Sequence, residues 1–279
     1  MLDLDDRQVA LTAPLPLTRH PASVYLRSLG VGSRPTMEQS LNEIAALLTN
    51  GNCDAMTLNW AALEYQHVSS LQAALLERYA PATAKKMMCA VRRVFQEARK
   101  LGFISGDTYQ NLTDLPPIRE SNKLRGRALS LTEISALIKA CTGDPTVQGV
   151  RDAALIAILR GTGLRRAEVV KLEMKDYQPR TFGLTVRSGK GGKDRTVYLP
   201  QGAVCYLKSW LKARGSLSGA LLCPIKKGGE IEYRVMTPQA VLLIVRKRAM
   251  EAGISSFSPH DFRRTFCSDL LDAGVDIVT

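Results

Sequence analysis

No stretch of this chain is apolar for long enough to cross a bilayer. The longest apolar runs, such as Ala153 to Leu159, fall far short of the ~20 residues that a spanning helix needs, so no membrane partner is expected. The N-terminal residues MLDLDDRQVA are acidic and carry no hydrophobic run, so no secretory leader is expected either. Histidine is scarce, at 3 in 279 residues, and the 6 cysteines (Cys53, Cys89, Cys141, Cys205, Cys223, Cys267) form no close pair. Without paired-ligand spacing, a structural zinc site is not expected. The cysteines read as reduced, mostly buried small hydrophobes of a cytoplasmic protein. Internal repeats and low-complexity tracts are also missing.

Acids are in short supply relative to bases. The chain has 26 Asp/Glu against 38 Lys/Arg, a net charge of +12. Such an excess is either a solvated surface or the footprint of a polyanion, with nucleic acid the commonest. Its placement is uneven: residues 1–119 hold 12 basic and 11 acidic residues, net +1, whereas residues 120–279 hold 26 and 15, net +11. An apolar fraction of 45% and a charged fraction of 23% exclude intrinsic disorder. The length suits one large or two ordinary domains.

Residues 1–35 contain Pro14, Pro16, Pro21 and Pro35 with little periodicity, and read as a mobile arm or peripheral segment. From Thr36 the pattern is helical, with Leu41, Ile44, Ala45 and Leu48 spaced by three and four. A second helix surrounds Val68, Leu71 and Leu75, and a third is predicted over roughly 83–101. The third helix carries Lys85-Lys86, Arg92-Arg93 and Arg99-Lys100, with Glu97 the only acid. A spacing of seven is nearly two turns, so these pairs form one stripe. The stripe is either a solvated face opposite the core or a contact surface for DNA phosphates. Residues 112–128 lack a hydrophobic period and contain Pro116-Pro117, which suits a linker, placed at 119–128.

Ser130 and Glu133 have capping-box spacing at the start of the next helix. Two further helices break at Gly161–Gly163, and Leu184/Val186 with Val197/Leu199 flank a Gly-rich turn in a predicted β-hairpin. The remainder reads as helices over 203–213, 238–252 and 259–273. The segment GLTVRSGKGGK is not a Walker loop. Lys190 is followed by Gly191 rather than Ser or Thr, and the context is strand–turn–strand.

Three basic segments hold the chemistry: Arg165-Arg166-Ala167-Glu168, Lys190 in the hairpin turn, and His260-Asp261-Phe262-Arg263. Each alone fits an ordinary surface. Together they supply planar guanidinium forks that match a phosphate's oxygens, a lysine able to protonate a leaving oxygen, and a histidine that exchanges a proton near neutral pH. The region shows no compact carboxylate cluster of the two-metal nuclease kind.

The blocks GTGLRRAEVVKL, SGKGGKDRTVYLP and SPHDFRRTF resemble, in order and spacing, those of the tyrosine recombinase (phage integrase) family. The resemblance implies a mainly α fold with a small antiparallel β-sheet. It implies an N-terminal arm (1–35), a helical, SAM-like core-binding domain (36–118), a linker (119–128) and a mixed α/β catalytic domain (129–279). It assigns Arg165 and Arg263 to the phosphate, Glu168 to the support of Arg165, Lys190 to the general acid and His260 to the second basic pair. Lys85, Lys86, Arg92, Arg93, Arg99, Lys100, Arg187, Arg246, Lys247, Arg248 and Arg264 become candidate phosphate contacts.

The implied function is site-specific DNA recombination, as in a mobile genetic element. A tyrosine hydroxyl attacks the scissile phosphate and forms a phosphotyrosine bond, with no cofactor. The implied partners are a double-stranded recombination site and further copies of the chain, four on two sites when complete. The implied setting is the cytoplasm, with the nucleoid.

The family pattern continues beyond the His–Arg block to a nucleophilic tyrosine, but all 8 tyrosines here precede Arg263. The expectation is a C-terminally shortened recombinase that binds DNA without cleaving it. Leu270, Leu271, Val275 and Ile277 then either form an exposed apolar patch or close the core. The rivals are a non-catalytic regulator or decoy derived from a recombinase, and a type IB topoisomerase-like relaxing enzyme.

Overall fold

The computed structural model describes residues 9–119, 126–187, 194–255 and 257–275. The chain divides into two compact units, Met1–Lys123 and Leu124–Thr279. It is mainly helical with one small antiparallel sheet. No helix among the described residues is long and apolar enough to cross a membrane.

The first unit contains α1 (Pro21–Ser28), α2 (Arg34–Leu48), α3 (Tyr65–Arg78), α4 (Pro81–Lys100) and α5 (Gly106–Thr113). The most deeply embedded is α4. Its Ala84, Met87, Val91, Val94, Phe95 and Ala98 are buried, and their spacing of three and four puts them on one face. Prolines at the first turns of α1, α2 and α4 suit positions where no helical N–H is needed.

The arm reading of residues 1–35 is corrected from Val9 onward; residues 1–8 lie outside the described residues. The side chains of Val9, Ala22, Tyr25 and Leu26 are core, and α1 packs on α4. The same proline that suggested a loop opens this helix, with His20 Nδ1 accepting the Ser23 N–H at 3.4 Å. Of the linker-like stretch 112–128, the first residues belong to the first unit, because α5 extends to Thr113 and both Leu112 and Leu115 are core; they precede the linker placed at 119–128.

The second unit contains α6 (Leu131–Thr142), α7 (Val147–Thr162), the single turn α8 (Arg166–Val169), β1 (Tyr177–Gln178), β2 (Gly183–Val186), β3 (Arg195–Tyr198), α9 (Gln201–Arg214), α10 (Pro238–Glu251) and α11 (Pro259–Asp272). Every residue from Ala153 to Leu159 is buried in α7, as expected of a helix apolar all round. Helices α6, α9 and α11 pack against it. The Ser130–Glu133 capping box is formed. The hairpin pairs Leu184 with Val197 and Val186 with Arg195, and β1 adds a short third strand beside β2.

Arg248 is not a surface cation. Its side chain is 1% exposed, and it bridges Asp152 on α7 to Asp144 and Glu251. Burial opposes its charge, but these carboxylates outweigh burial and hold its pKa above the ordinary arginine value. The cysteines are not mostly buried: three of the six are, and Cys267 is half-buried. Among the six, all free, Cys53, Cys141 and Cys223 are buried while Cys89 and Cys205 are exposed. Leu271 and Val275 are exposed, so they do not close the core; Ile277 lies outside the described residues.

Candidate active site

Helix α7 ends on Gly163, whose φ of +60° is left-handed. A Cβ there would stand 2.5 Å from the Phe266 ring of α11. Glycine therefore lets α11 approach the point where the chain turns into α8. Two residues on, Arg165 occupies the N-cap of α8.

Glu168 organises this turn. It accepts the Arg165 backbone N–H at 2.9 Å, Arg165 Nη1 at 3.2 Å and Arg195 Nη2 at 2.9 Å. Burial by itself would raise the Glu168 pKa, but the bonds from Arg195 and Arg165 prevail and hold it below the ordinary carboxylate value. The carboxylate is thus ionised at neutral pH and fixes one end of Arg165. The Arg165 side chain remains 41% exposed, which leaves guanidinium donors available to an anion.

The third sequence block reaches the same place from α11. Arg263 Nη1 donates to the Gly163 carbonyl at 2.8 Å. His260, in the first turn of α11, is exposed. The start of α11 is held by Asp261, which accepts the Ser258 N–H at 2.8 Å and the Arg127 N–H at 3.1 Å. A hollow of about 440 Å³ is lined by Arg165, Arg166, Leu242, Arg246, Pro259 and His260, among others. Arg165 and Arg166 at α8, Arg246 of α10 and the His260 imidazole thus line one cationic concavity, which suits a phosphate group.

Lys190 lies outside the described residues. The strands flanking its segment are each tied down by an arginine: Arg187 Nε donates to the buried Asp176 at 2.8 Å, and Arg195 donates to Glu168. Of the candidate phosphate contacts in this unit, Arg246 lines the hollow and is exposed. Lys247 sits 3.7 Å from Glu251. Arg264 donates to the Gly126 carbonyl at 3.2 Å. Arg248 is removed from this set by its burial.

In the first unit, Lys85, Lys86, Arg93, Arg99 and Lys100 are exposed on α4, and Arg92 is half-buried. Glu97 is buried beneath the stripe, 2.9 Å from Lys100 and 3.6 Å from Arg93. Arg99 lies over the Tyr109 ring at 5.6 Å.

Arg195 and Asp261 are supporting residues to which the sequence reading gave no role. Arg195 had a signal: β3 alternates, so a charge at position 195 shares the inward face with Val197 and needs a carboxylate there.

Residues 127–279 match the Phage integrase family, and the chain belongs to that family of tyrosine-type recombinases. It is 32% identical over 151 residues to the tyrosine recombinase XerA of Pyrococcus furiosus, covering 54% of this chain and 50% of that protein. It is 29% identical over 264 residues to XerD of Vibrio cholerae, covering 91% of this chain and 81% of that protein. The fold is shared with the Tn1549 transposon integrase, at TM-score 0.67 and 16% identity over 92% of this chain and 88% of that one. It is also shared with a lambda integrase bound as a dimer to a COC' core site, at TM-score 0.66 and 14% identity over 93% and 90%.

Proposed function

We propose that this chain binds a duplex recombination site and presents a scissile phosphate to Arg165, Arg263, His260 and Lys190 for phosphotyrosine strand transfer. The observation that carries this reading is the convergence of Arg165 and His260 on one hollow, with Arg263 anchored on the carbonyl of Gly163 beside it. In this role Arg165 and Arg263 neutralise the non-bridging oxygens and stabilise the added negative charge of the five-coordinate transition state. Lys190 protonates the departing 5′-oxygen, and His260 assists proton transfer or binds an oxygen. The first unit, including the segment from Val9 that the sequence treated as an arm, contributes the α4 stripe to the DNA backbone. Relatives of this fold are seen as a dimer on a core site and as a tetramer on a Holliday junction. We extend the same self-association on paired sites to this protein.

All 8 tyrosines precede Arg263, and we propose that these 279 residues by themselves bind DNA without cleaving it. Incubation with nicked suicide duplexes, followed by denaturing electrophoresis, tests this point. The expected result is a shifted complex on native gels and no covalent protein–DNA adduct. An adduct overturns the cleavage-incompetent reading, and failure to bind any duplex overturns the recombinase reading itself.

A further inference from the structure

Glu168 is shared between two arginines that lie 30 positions apart in sequence. On one side it holds Arg165, through both backbone and side chain. On the other it takes a bond from Arg195, the first residue of β3. Hairpin register sets this second contact. Val186 pairs with Arg195, and strand alternation places the Arg195 side chain on the same face as Val197, which packs against the core. A cation on that face must find an acid. Glu168 is the acid it bonds, only 12% exposed, while Arg195 is 36% exposed.

We propose that Arg195 is a positioning residue for the phosphate-binding Arg165, acting through Glu168. Resting on the function proposed above, it gives the hairpin a part in that site beyond carrying Lys190. The argument is one of degrees of freedom. A glutamate attached to a single turn of helix has three rotatable side-chain bonds, and its pairing with the half-exposed Arg165 alone would be weakly ordered. From a hydrogen-bonded strand, Arg195 adds a second donor to Oε2 beside the Arg165 N–H, which leaves Oε1 to meet the Arg165 guanidinium in one geometry. Arg165 then enters the hollow already oriented, so less ordering accompanies phosphate binding. Arg195 itself is not among the residues that line the hollow.

A double-mutant cycle on duplex binding tests the proposal. The full chain, Arg165→Ala, Arg195→Ala and the double variant are titrated against one 30-bp duplex at fixed salt, alongside Arg195→Lys and Glu168→Gln. Arg195→Ala is expected to weaken binding roughly fivefold, on the order of one loosened ionic contact. It is expected to have no further effect once Arg165 is alanine, because positioning is worth nothing without the group positioned. Arg195→Lys keeps a charge on Glu168 but loses the planar fork, so it is expected to recover part of the loss. It also guards against an alanine variant that fails to fold.

Additive losses from Arg165→Ala and Arg195→Ala overturn the proposal by making Arg195 an independent DNA contact. Unchanged affinity in both Arg195 variants overturns it as well. A wild-type chain that binds no duplex overturns the proposed function, and the positioning role with it.

Discussion

Gly163 meets two constraints at one atom. Its left-handed φ of +60° is strained for any side chain, and the position of its missing Cβ lies 2.5 Å from the Phe266 ring. Gly163→Ala adds backbone strain to overpacking and is expected to cost about 2–4 kcal/mol, read as a lower Tm by calorimetry. Because the Gly163 carbonyl also receives Arg263, duplex affinity is expected to fall in the material that still folds. Arg248 shows the opposite kind of constraint. Replacing it with methionine strips one partner from the buried Asp152, which keeps Arg151 at 2.6 Å. The expected loss is about 3 kcal/mol in urea unfolding, near the low end for a broken buried pair, since Asp152 is not left alone.

The carboxylates of the second unit also set its response to acid. Hydrogen bonds from Arg127 and from the Ser130 N–H pull Glu133 from the ordinary 4.5 to about 2. The Thr146 hydroxyl and Arg248 pull Asp144 from 3.8 to about 2. Both pKa values are depressed in the folded state, so the stability they contribute is fully present above their unfolded values. It is lost as pH falls through the folded ones. Circular dichroism is expected to show stability declining between about pH 5 and pH 2. Arg127→Ala should move the acid midpoint upward, since Glu133 then protonates sooner; an unmoved midpoint would count against that pairing.

At the scale of elements, α4 is the most readable and the most informative part of the first unit. Its apolar face and basic stripe were both visible as spacing, because helix geometry converts sequence intervals directly into faces. Glu97 adds what spacing does not reveal. It sits below the stripe and partly neutralises Arg93 and Lys100, so those two bring less net charge to a phosphate. In the double variant Lys85→Gln, Lys86→Gln, the slope of log affinity against log salt is expected to become shallower by about 2, at roughly 0.9 for each phosphate no longer neutralised. Fluorescence anisotropy over a salt series measures it. An unchanged slope would make those lysines a solvated face.

The elements that sequence reading missed share a cause. Helix α1 hides in a proline-rich segment because its stability comes from Tyr25 and Leu26 docking on α4, far along the chain. The strand β1 is two residues long and exists only as the partner of β2. Arg248 looked like one member of a basic triplet, and nothing local distinguishes it from Arg246 and Lys247. Its carboxylates at 144 and 152 are about a hundred positions away. The core of the candidate site was legible because the family blocks carry it. Its supports, Arg195 and Asp261, depend on contacts between blocks.

At the scale of the whole molecule, the two units have separate cores, one built from residues between Val9 and Leu115 and the other from residues between Leu129 and Phe262. Neither core borrows side chains from the other, so polypeptides 1–119 and 126–279 are each expected to unfold cooperatively. Their charges are unequal: net +1 for the first, and 24 basic against 14 acidic residues, net +10, for the second. Counterion release scales with the phosphates neutralised, so the second polypeptide is expected to show the steeper salt dependence on duplex DNA. The first should bind more weakly and with a shallower slope, because its stripe is local and the unit around it is nearly neutral. Mixed in solution, the two should not regain the affinity of the intact chain. Joining two binding units makes the second contact intramolecular, at an effective concentration on the order of millimolar, which free fragments at micromolar concentrations do not reach. Anisotropy titrations of the fragments, their mixture and the intact chain separate these terms. Equal affinity of mixture and intact chain would mean that only one unit touches DNA. A steeper slope for residues 1–119 would mean that the charge excess of the second unit faces away from it.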